Sequence, residues 1–482
     1  MGKNIKANLA FNIINTGTQL LFPLVTFPYV CRIIGVEGVG QVEFLNSIIS
    51  YIYLFTSLGI PMYAIREIAR VRDDIKKMNQ IVVEILILHL ILTALGYVIV
   101  GILCIGVPQI AVAKALFIIL SLNLFFLAIG CEWFYQGIED FGYITIRGLC
   151  VRIVSAALLF LFVKSEQDLL LYGAYCVIGT VGSNVFNFFR LRKYVHTTNI
   201  VWANLNIKRH LFPATKVFAF NVITSLYLKL NPMILGFFSG NAAVGFYTAA
   251  TKILAILITM TTCLSQVIMP RASKLIADDN NNEYSSLIQK SFDFTLFLSI
   301  PLSIGLICTA PFLIRVFCGE SFEESIIASQ IVAPIAMIVG ISNVLGIQIL
   351  YPRGEINKVI VSCGIGALAD LILCFLFIPS FSYIGAAIAY LVAECATTIS
   401  LIIISRKKLP ISLNNSHLHF LLAGIIMILA LFYLNSRLSL SDPMMLLVNT
   451  LIGALVYVIY LIIVKDSFVQ YSFESFKNII KR

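Results

Sequence analysis

Apolar residues in this chain do not alternate with polar ones; they gather into long runs separated by short polar turns. Fourteen runs approach the ~20 residues that a helix needs to cross about 30 Å of hydrocarbon. They cover 9–33, 42–65, 80–105, 110–130, 145–164, 169–189, 213–238, 244–269, 291–314, 325–350, 357–378, 382–405, 418–435 and 444–464. Barrel strands would be about ten residues long with strict alternation. The pattern therefore predicts an all-α integral membrane protein of about 14 transmembrane helices.

The runs also repeat. Residues 10–23 read AFNIINTGTQLLFP and residues 219–232 read AFNVITSLYLKLNP, an offset of 209 positions. Gly40 and Arg66 then match Gly245 and Arg271 at an offset of 205, which implies a shorter outer turn in the second copy and sets Arg32 against Asn241. Two pseudo-symmetric six-helix lobes follow, 1–195 and 213–408, joined by a linker at 196–212. Residues 409–482 add two helices without a counterpart and a tail. Because six is even, both lobes start on the same side. A pseudo-twofold axis along the membrane normal is expected, as in transporters whose site lies between rocking lobes.

Composition supports the membrane reading: 59% of residues are hydrophobic and 12% charged, about half the charged share of a soluble domain. The net charge of +10 comes mainly from Lys and Arg in alternate connections. Placing those connections in the cytoplasm puts both termini there, and no nucleic acid is needed to explain the charge. Arg32, Lys114, Lys164, Arg315 and Arg437 fall near outer ends, and Lys229 and Lys252 fall within helices. The basic start MGKNIK resembles a signal sequence, but the first run is too long for a signal core and reads as a retained helix. The linker carries basic residues and no acid, which fits a solvated loop, a short amphipathic helix on the inner surface, or contact with anionic lipid.

Little in the sequence suggests catalysis. The eleven cysteines are scattered, without a C-x-x-C pair, and fit packing between helices better than disulfides or metal. His417 and His419 open the thirteenth run without further ligands and read as interfacial side chains, so no metal site is expected. The stretch GVEGVG at 35–40 has neither dinucleotide spacing nor a preceding strand, and its glycines suit a tight outer turn. Neither a P-loop nor any connection long enough for a soluble catalytic domain is present, and no enzyme activity is expected.

Charges inside apolar runs cost at least about 2.5 kcal/mol at mid-helix unless paired or hydrated. Lys229 lies about 15 Å and Lys252 about 12 Å from the outer ends of adjacent antiparallel runs. Both ammonium groups can sit at one level, either snorkelling or lining a hydrated cationic cavity. Arg32 is shallower, within a turn of the outer boundary. Asp370, about 12 Å deep, and Glu394, about 18 Å deep, fit either ion pairs or coupling acids. Asn12, Asn15, Asn46 and Asn221 suit a polar cleft or hydrogen bonds between helices. Pro23, Pro28 and Pro232 should kink their helices, as hinges or as static bends.

Several blocks are familiar: FPYVCRIIGVEGVGQVEF into LGIPMYAIREIAR, WFYQGIEDFGYITIR, VGFYTAATKI and YPRGEINK. Together they make residues 5–405 resemble the Wzx-type polysaccharide flippases, relatives of the MATE multidrug antiporters and the peptidoglycan lipid flippases. The resemblance implies a MATE-like fold and transport of undecaprenyl-pyrophosphate-linked oligosaccharide (O-antigen or capsule repeat units) across a bacterial cytoplasmic membrane by alternating access. It implies no cofactor, a proton or sodium gradient as the drive, a polysaccharide polymerase and a chain-length regulator as partners, and a cationic cavity. Arg32 and Lys252 lie in the matching blocks; Lys229 rests on its depth alone. A MATE-type drug exporter would instead have twelve helices and intramembrane acids in the first lobe, where the deepest acid here is Glu84, near the inner end of its run. A peptidoglycan lipid flippase would share the mechanism with another cargo.

Overall fold

The computed structural model describes residues 5–196, 205–406, 410–412 and 414–470; side chains are left aside at 5–16, 19–21, 216–217, 219–221, 223–228 and 266. The described residues are almost entirely helical and contain no strand. By packing they form two units, residues 1–244 and 245–482. The first holds α1 (Ile5–Ser57), α2 (Ile60–Val71), α3 (Ile75–Gly106), α4 (Pro108–Val112), α5 (Lys114–Ile129), α6 (Glu132–Gly137), α7 (Phe141–Phe162), α8 (Leu169–Val181) and α9 (Ser183–Leu191). The long α10 (Lys208–Thr262) runs from the first unit into the second. It is followed by α11 (Ser265–Ala277), α12 (Asn281–Phe317), α13 (Ser325–Val332), α14 (Ile335–Asn343), α15 (Ile356–Ser405), α16 (Asn415–Arg437) and α17 (Asp442–Ile463).

Among the described residues, ten helices are long and apolar enough to span a membrane, or eleven when the α8–α9 pair, bent by 44°, counts as one. Three of the ten are too long for one crossing: at 1.5 Å per residue, α1, α10 and α15 would each exceed 70 Å if straight. Each is broken once, at Gly35, Gly240 and Ser382. The second apolar run also stops earlier than its composition suggests. Leu58 and Gly59 turn to positive φ and Pro61 starts α2, so 60–71 forms a separate amphipathic helix. Ile60, Tyr63, Ala64 and Ile68, spaced by three and four residues, bury one face of α2 against α3 and α6, while Arg66 and Arg70 point outward. At Gly137 a side chain would meet Ile68 at 2.8 Å, which explains the glycine of WFYQG.

In the second unit, α16 and α17 are built onto α12. Phe420, Ala423, Met427 and Tyr457 share a core with Phe292, Leu296 and Ile300. Gly424 lets α16 approach Ile300 and Ile304, and Gly453 lets α17 approach Met427, the small-residue contact that membrane helices use to come close.

A buried carboxylate ties the end of each repeat to its third long helix. In the first unit Glu84 of α3 is fully buried. It accepts the Gln80 amide at 3.1 Å, the Asn206 N–H at 2.9 Å and the Arg209 Nε at 2.8 Å, and faces His210 Nε2 at 2.7 Å. The Tyr63 hydroxyl holds the other ring nitrogen of His210 at 2.7 Å. In the second unit Asp293 of α12 accepts the Gln289 amide at 2.8 Å and faces His417 Nε2 at 2.7 Å. Gln289 also receives the Ser412 N–H at 2.8 Å. Gln80 and Glu84 precede Gln289 and Asp293 by 209 positions each, the offset of the first and seventh runs, so the four residues lost before Gly240 are regained after Arg271. His417 is therefore a buried partner of Asp293, and His419 pairs with Asp466 at 3.0 Å, pairings that the sequence reading did not include.

Candidate functional site

The glycine breaks fix the register of the cations expected in the first and seventh runs. Gly35 (φ 72°, ψ 179°) and Gly240 (φ 83°, ψ −179°) share one backbone conformation, a region essentially restricted to glycine. They lie 205 positions apart, so the second copy is shortened before this break and not after it. Arg32, three residues ahead of Gly35, then corresponds to Phe237, and the expected match to Asn241 is corrected.

Arg32 is exposed on α1. Lys229 is half-buried on the first arm of α10, in the first unit, and Lys252 is half-buried on the second arm, in the second unit. Asn46 is half-buried, and its carbonyl accepts the Ser50 hydroxyl at 2.7 Å. The side chains of Asn12, Asn15 and Asn221 lie outside the described residues. Pro23 and Pro28 sit inside α1 and Pro232 inside α10, yet among the described residues the interruption of helical geometry lies downstream, at Gly35 and Gly240.

The two predicted acids are both buried, on the two arms of one broken helix. Ser382 (φ 50°) divides α15 into two arms, and polar groups line the seam between them. The Ser400 hydroxyl donates to Ser362 at 3.1 Å. Gly366 lies so close to the second arm that a Cβ would strike Thr397 and come within 3.0 Å of the Ala393 carbonyl. Residues 362, 366, 370 and 374, four apart, share the facing side of the first arm. Asp370 is fully buried and accepts the Cys374 thiol at 3.8 Å; Glu394 on the opposite arm is 4% exposed. Tyr390 lies within electrostatic reach of both acids.

The first unit holds buried polar groups that the sequence reading did not single out. Arg147 of α7, 8% exposed, donates to Asn187 and pairs with Glu132 at 3.3 Å. Arg152, one turn further on, donates to Thr18 at 2.9 Å. His89 of α3 is buried, with neither ring nitrogen partnered among the described residues. The signal for Arg147 lay in the block GYITIR; the signal for His89 was a histidine within the run 80–105.

Residues 5–276, more than half of the chain, match the family described as "Polysaccharide biosynthesis protein". A relative from Escherichia coli (strain K12), named "Putative O-antigen transporter", is 27% identical over 419 residues, covering 84% of this chain and 98% of the relative. Among solved structures, the fold is similar to that of "Lipid II flippase MurJ, inward closed conformation", with a TM-score of 0.71, 18% identity and coverage of 95% and 99% of the two chains. It is also similar to an inward-facing multidrug resistance MATE family transporter of the MOP superfamily, with a TM-score of 0.67, 14% identity and coverage of 81% and 94%. At those identities the structural likeness is one of fold. The stretch matched to the family holds both glycine breaks, the α2–α6 contact and Glu84 with its partners, so sequence match and architecture coincide, and the chain belongs to the polysaccharide biosynthesis protein family.

Proposed function

We propose that this protein is a flippase that moves a polyprenyl-pyrophosphate-linked oligosaccharide repeat unit from the inner to the outer leaflet of a bacterial cytoplasmic membrane by alternating access, for surface polysaccharide assembly. The observation that carries the reading is the relative named as an O-antigen transporter, which this chain matches over almost the relative's whole length. The solved neighbours support the fold, and the cargo comes from the named relative. The reading takes the fourteen spans of the hydropathy pattern, and the ten or eleven apolar helices among the described residues, three of them broken, are compatible with it. An even count returns both termini to one side, and the distribution of Lys and Arg makes that side the cytoplasm.

In this reading Lys229 and Lys252 attract the pyrophosphate and Arg32 stands near the outer mouth. The polyprenyl tail stays in lipid. An inside-negative potential favours outward movement of an anion by about 2.3 kcal/mol per charge per 100 mV. Any coupling to a proton or sodium gradient is assigned to Asp370 and Glu394, and a polymerase and chain-length regulator would receive the product. The test is a Lys229→Gln/Lys252→Gln double variant in cells that make a lipid-linked oligosaccharide. Export should fail, with unflipped precursor accumulating at normal protein levels. Intact export would overturn the assignment of these lysines, and efflux of cationic dyes on overexpression would favour a drug exporter.

A further inference from the structure

The bend between α8 and α9 opens a groove against α7 on the outer surface of the first unit. It encloses about 650 Å³ and is lined by Ile146, Val154, Ile178, Phe186 and Phe189, with Cys150 on its wall. These apolar side chains are exposed, Phe186 and Phe189 by more than half, which suits a groove that faces lipid. From Tyr143 to Val154 it follows α7 for about 16 Å at helical rise, the scale of an acyl chain. Gly182 sits at the bend, where a side chain would come within 2.5 Å of the Ile178 carbonyl.

One end of this apolar groove is cationic. Arg190, which lines it, is stacked on Tyr143 at 3.7 Å and paired with Asp140 at 2.9 Å. Arg147, also lining it, pairs with Glu132, but its buried Nε has no partner among the described residues. Arg192 lies 5.6 Å from the centre of the Phe189 ring, and it and Lys193 are exposed and make no ion pair among the described residues. The two acids are matched by two arginines, which leaves a surplus of two positive charges where the groove meets the end of α9. An apolar slot with a cationic rim fits a lipid with an anionic headgroup.

We propose that this groove is a binding site for an anionic diacyl phospholipid. One acyl chain lies along α7, and the phosphate is held at the Arg190–Lys193 end. The site is independent of the transported cargo and rests on the topology proposed above only for its leaflet, the cytoplasmic one. Bound there, the lipid would brace the α8–α9 bend against α7.

The test uses the full-length protein in micelles and reads binding, not transport. Native mass spectrometry should show phosphatidylglycerol retained in preference to phosphatidylcholine. The surface variant Arg192→Gln/Lys193→Gln should weaken phosphatidylglycerol binding about 25-fold, at about fivefold per cation, and leave phosphatidylcholine unchanged. Alkylation of Cys150 by N-ethylmaleimide, followed at peptide level, should slow when phosphatidylglycerol is added and not when phosphatidylcholine is. Equal retention of the two lipids, or a variant that binds phosphatidylglycerol as the parent does, would overturn the proposal. So would protection of Cys150 by a polyprenyl pyrophosphate at lower concentration than phosphatidylglycerol, which would give the groove to the cargo.

Discussion

Replacing Glu84 with alanine should release the chain segment that enters α10. The carboxylate gathers four groups, the Gln80 amide, the Asn206 N–H, the Arg209 guanidinium and the His210 ring, at 2.5 to 3.1 Å. Hydrogen bonds to a charged group contribute roughly 1.5–3 kcal/mol each, but four that share one acceptor do not add. The more relevant scale is the roughly 3–5 kcal/mol lost when one partner of a buried pair is removed. Arg209 is 44% exposed and regains water on release, which places the expected loss near 3 kcal/mol. If residues 205–210 open locally, that loss raises the open fraction about a hundredfold, at 1.4 kcal/mol per factor of ten. Limited trypsin digestion of the full-length protein in micelles, with cleavage after Lys208 and Arg209 measured by mass spectrometry, reports this fraction when reclosing is faster than cleavage. Asp293→Ala is the internal control, because it should loosen 412–417 and leave cleavage at 208–209 unchanged. Cleavage of a folded Glu84→Ala protein within about twofold of the parent rate would refute the reasoning.

The same segment should respond to pH. Burial, partly offset by Glu84, holds His210 below the ordinary value of 6.5, with Arg209 pushing the same way as burial and Glu67 opposing it. The opened segment therefore binds the proton more readily, and stability present above pH 6.5 is lost as pH falls through the lowered value. Hydrogen exchange at 205–210 should rise as pH falls below 6.5, and His210→Gln should remove that part of the rise, leaving the loss at lower pH that comes from protonating Glu84. Gly240→Ala should lower the thermal midpoint by the equivalent of about 1–3 kcal/mol of backbone strain, whereas Gly101→Ala, in open helical surroundings, should not. Gly366→Ala should destabilise the protein by forcing the arms of α15 apart, and Thr397→Ala in the same chain should restore part of the loss in a double-mutant cycle.

The membrane class, the helical runs and the internal repeat were legible because each is carried by many residues close in sequence. Asp370 and Glu394 were legible as acids at unusual depth, and the break between the runs at 378 and 382 was legible in Pro379 and the serines after it; which side chains of the two arms face one another was not. The carboxylate–histidine pairs left no local trace, since Glu84 and His210 are 126 positions apart and Asp293 and His417 are 124 apart. The repeat offset held the missing clue, because Gln80 and Glu84 recur as Gln289 and Asp293. The prolines drew attention to the middle of the first and seventh runs. The backbone breaks lie at Gly35 and Gly240, where a glycine-only conformation reverses more chain than a missing hydrogen bond can.

Covalent order and packing order are out of phase in this protein. The first arm of α10 is encoded at the head of the second repeat, yet it packs within the first unit. Gly236 lies against Phe44, Phe237 meets Phe44 at 5.0 Å between ring centres, and Phe218 meets Phe55 at 5.6 Å. A chain severed between 197 and 204 would thus remain one particle, since the downstream fragment keeps a helix embedded in the upstream one.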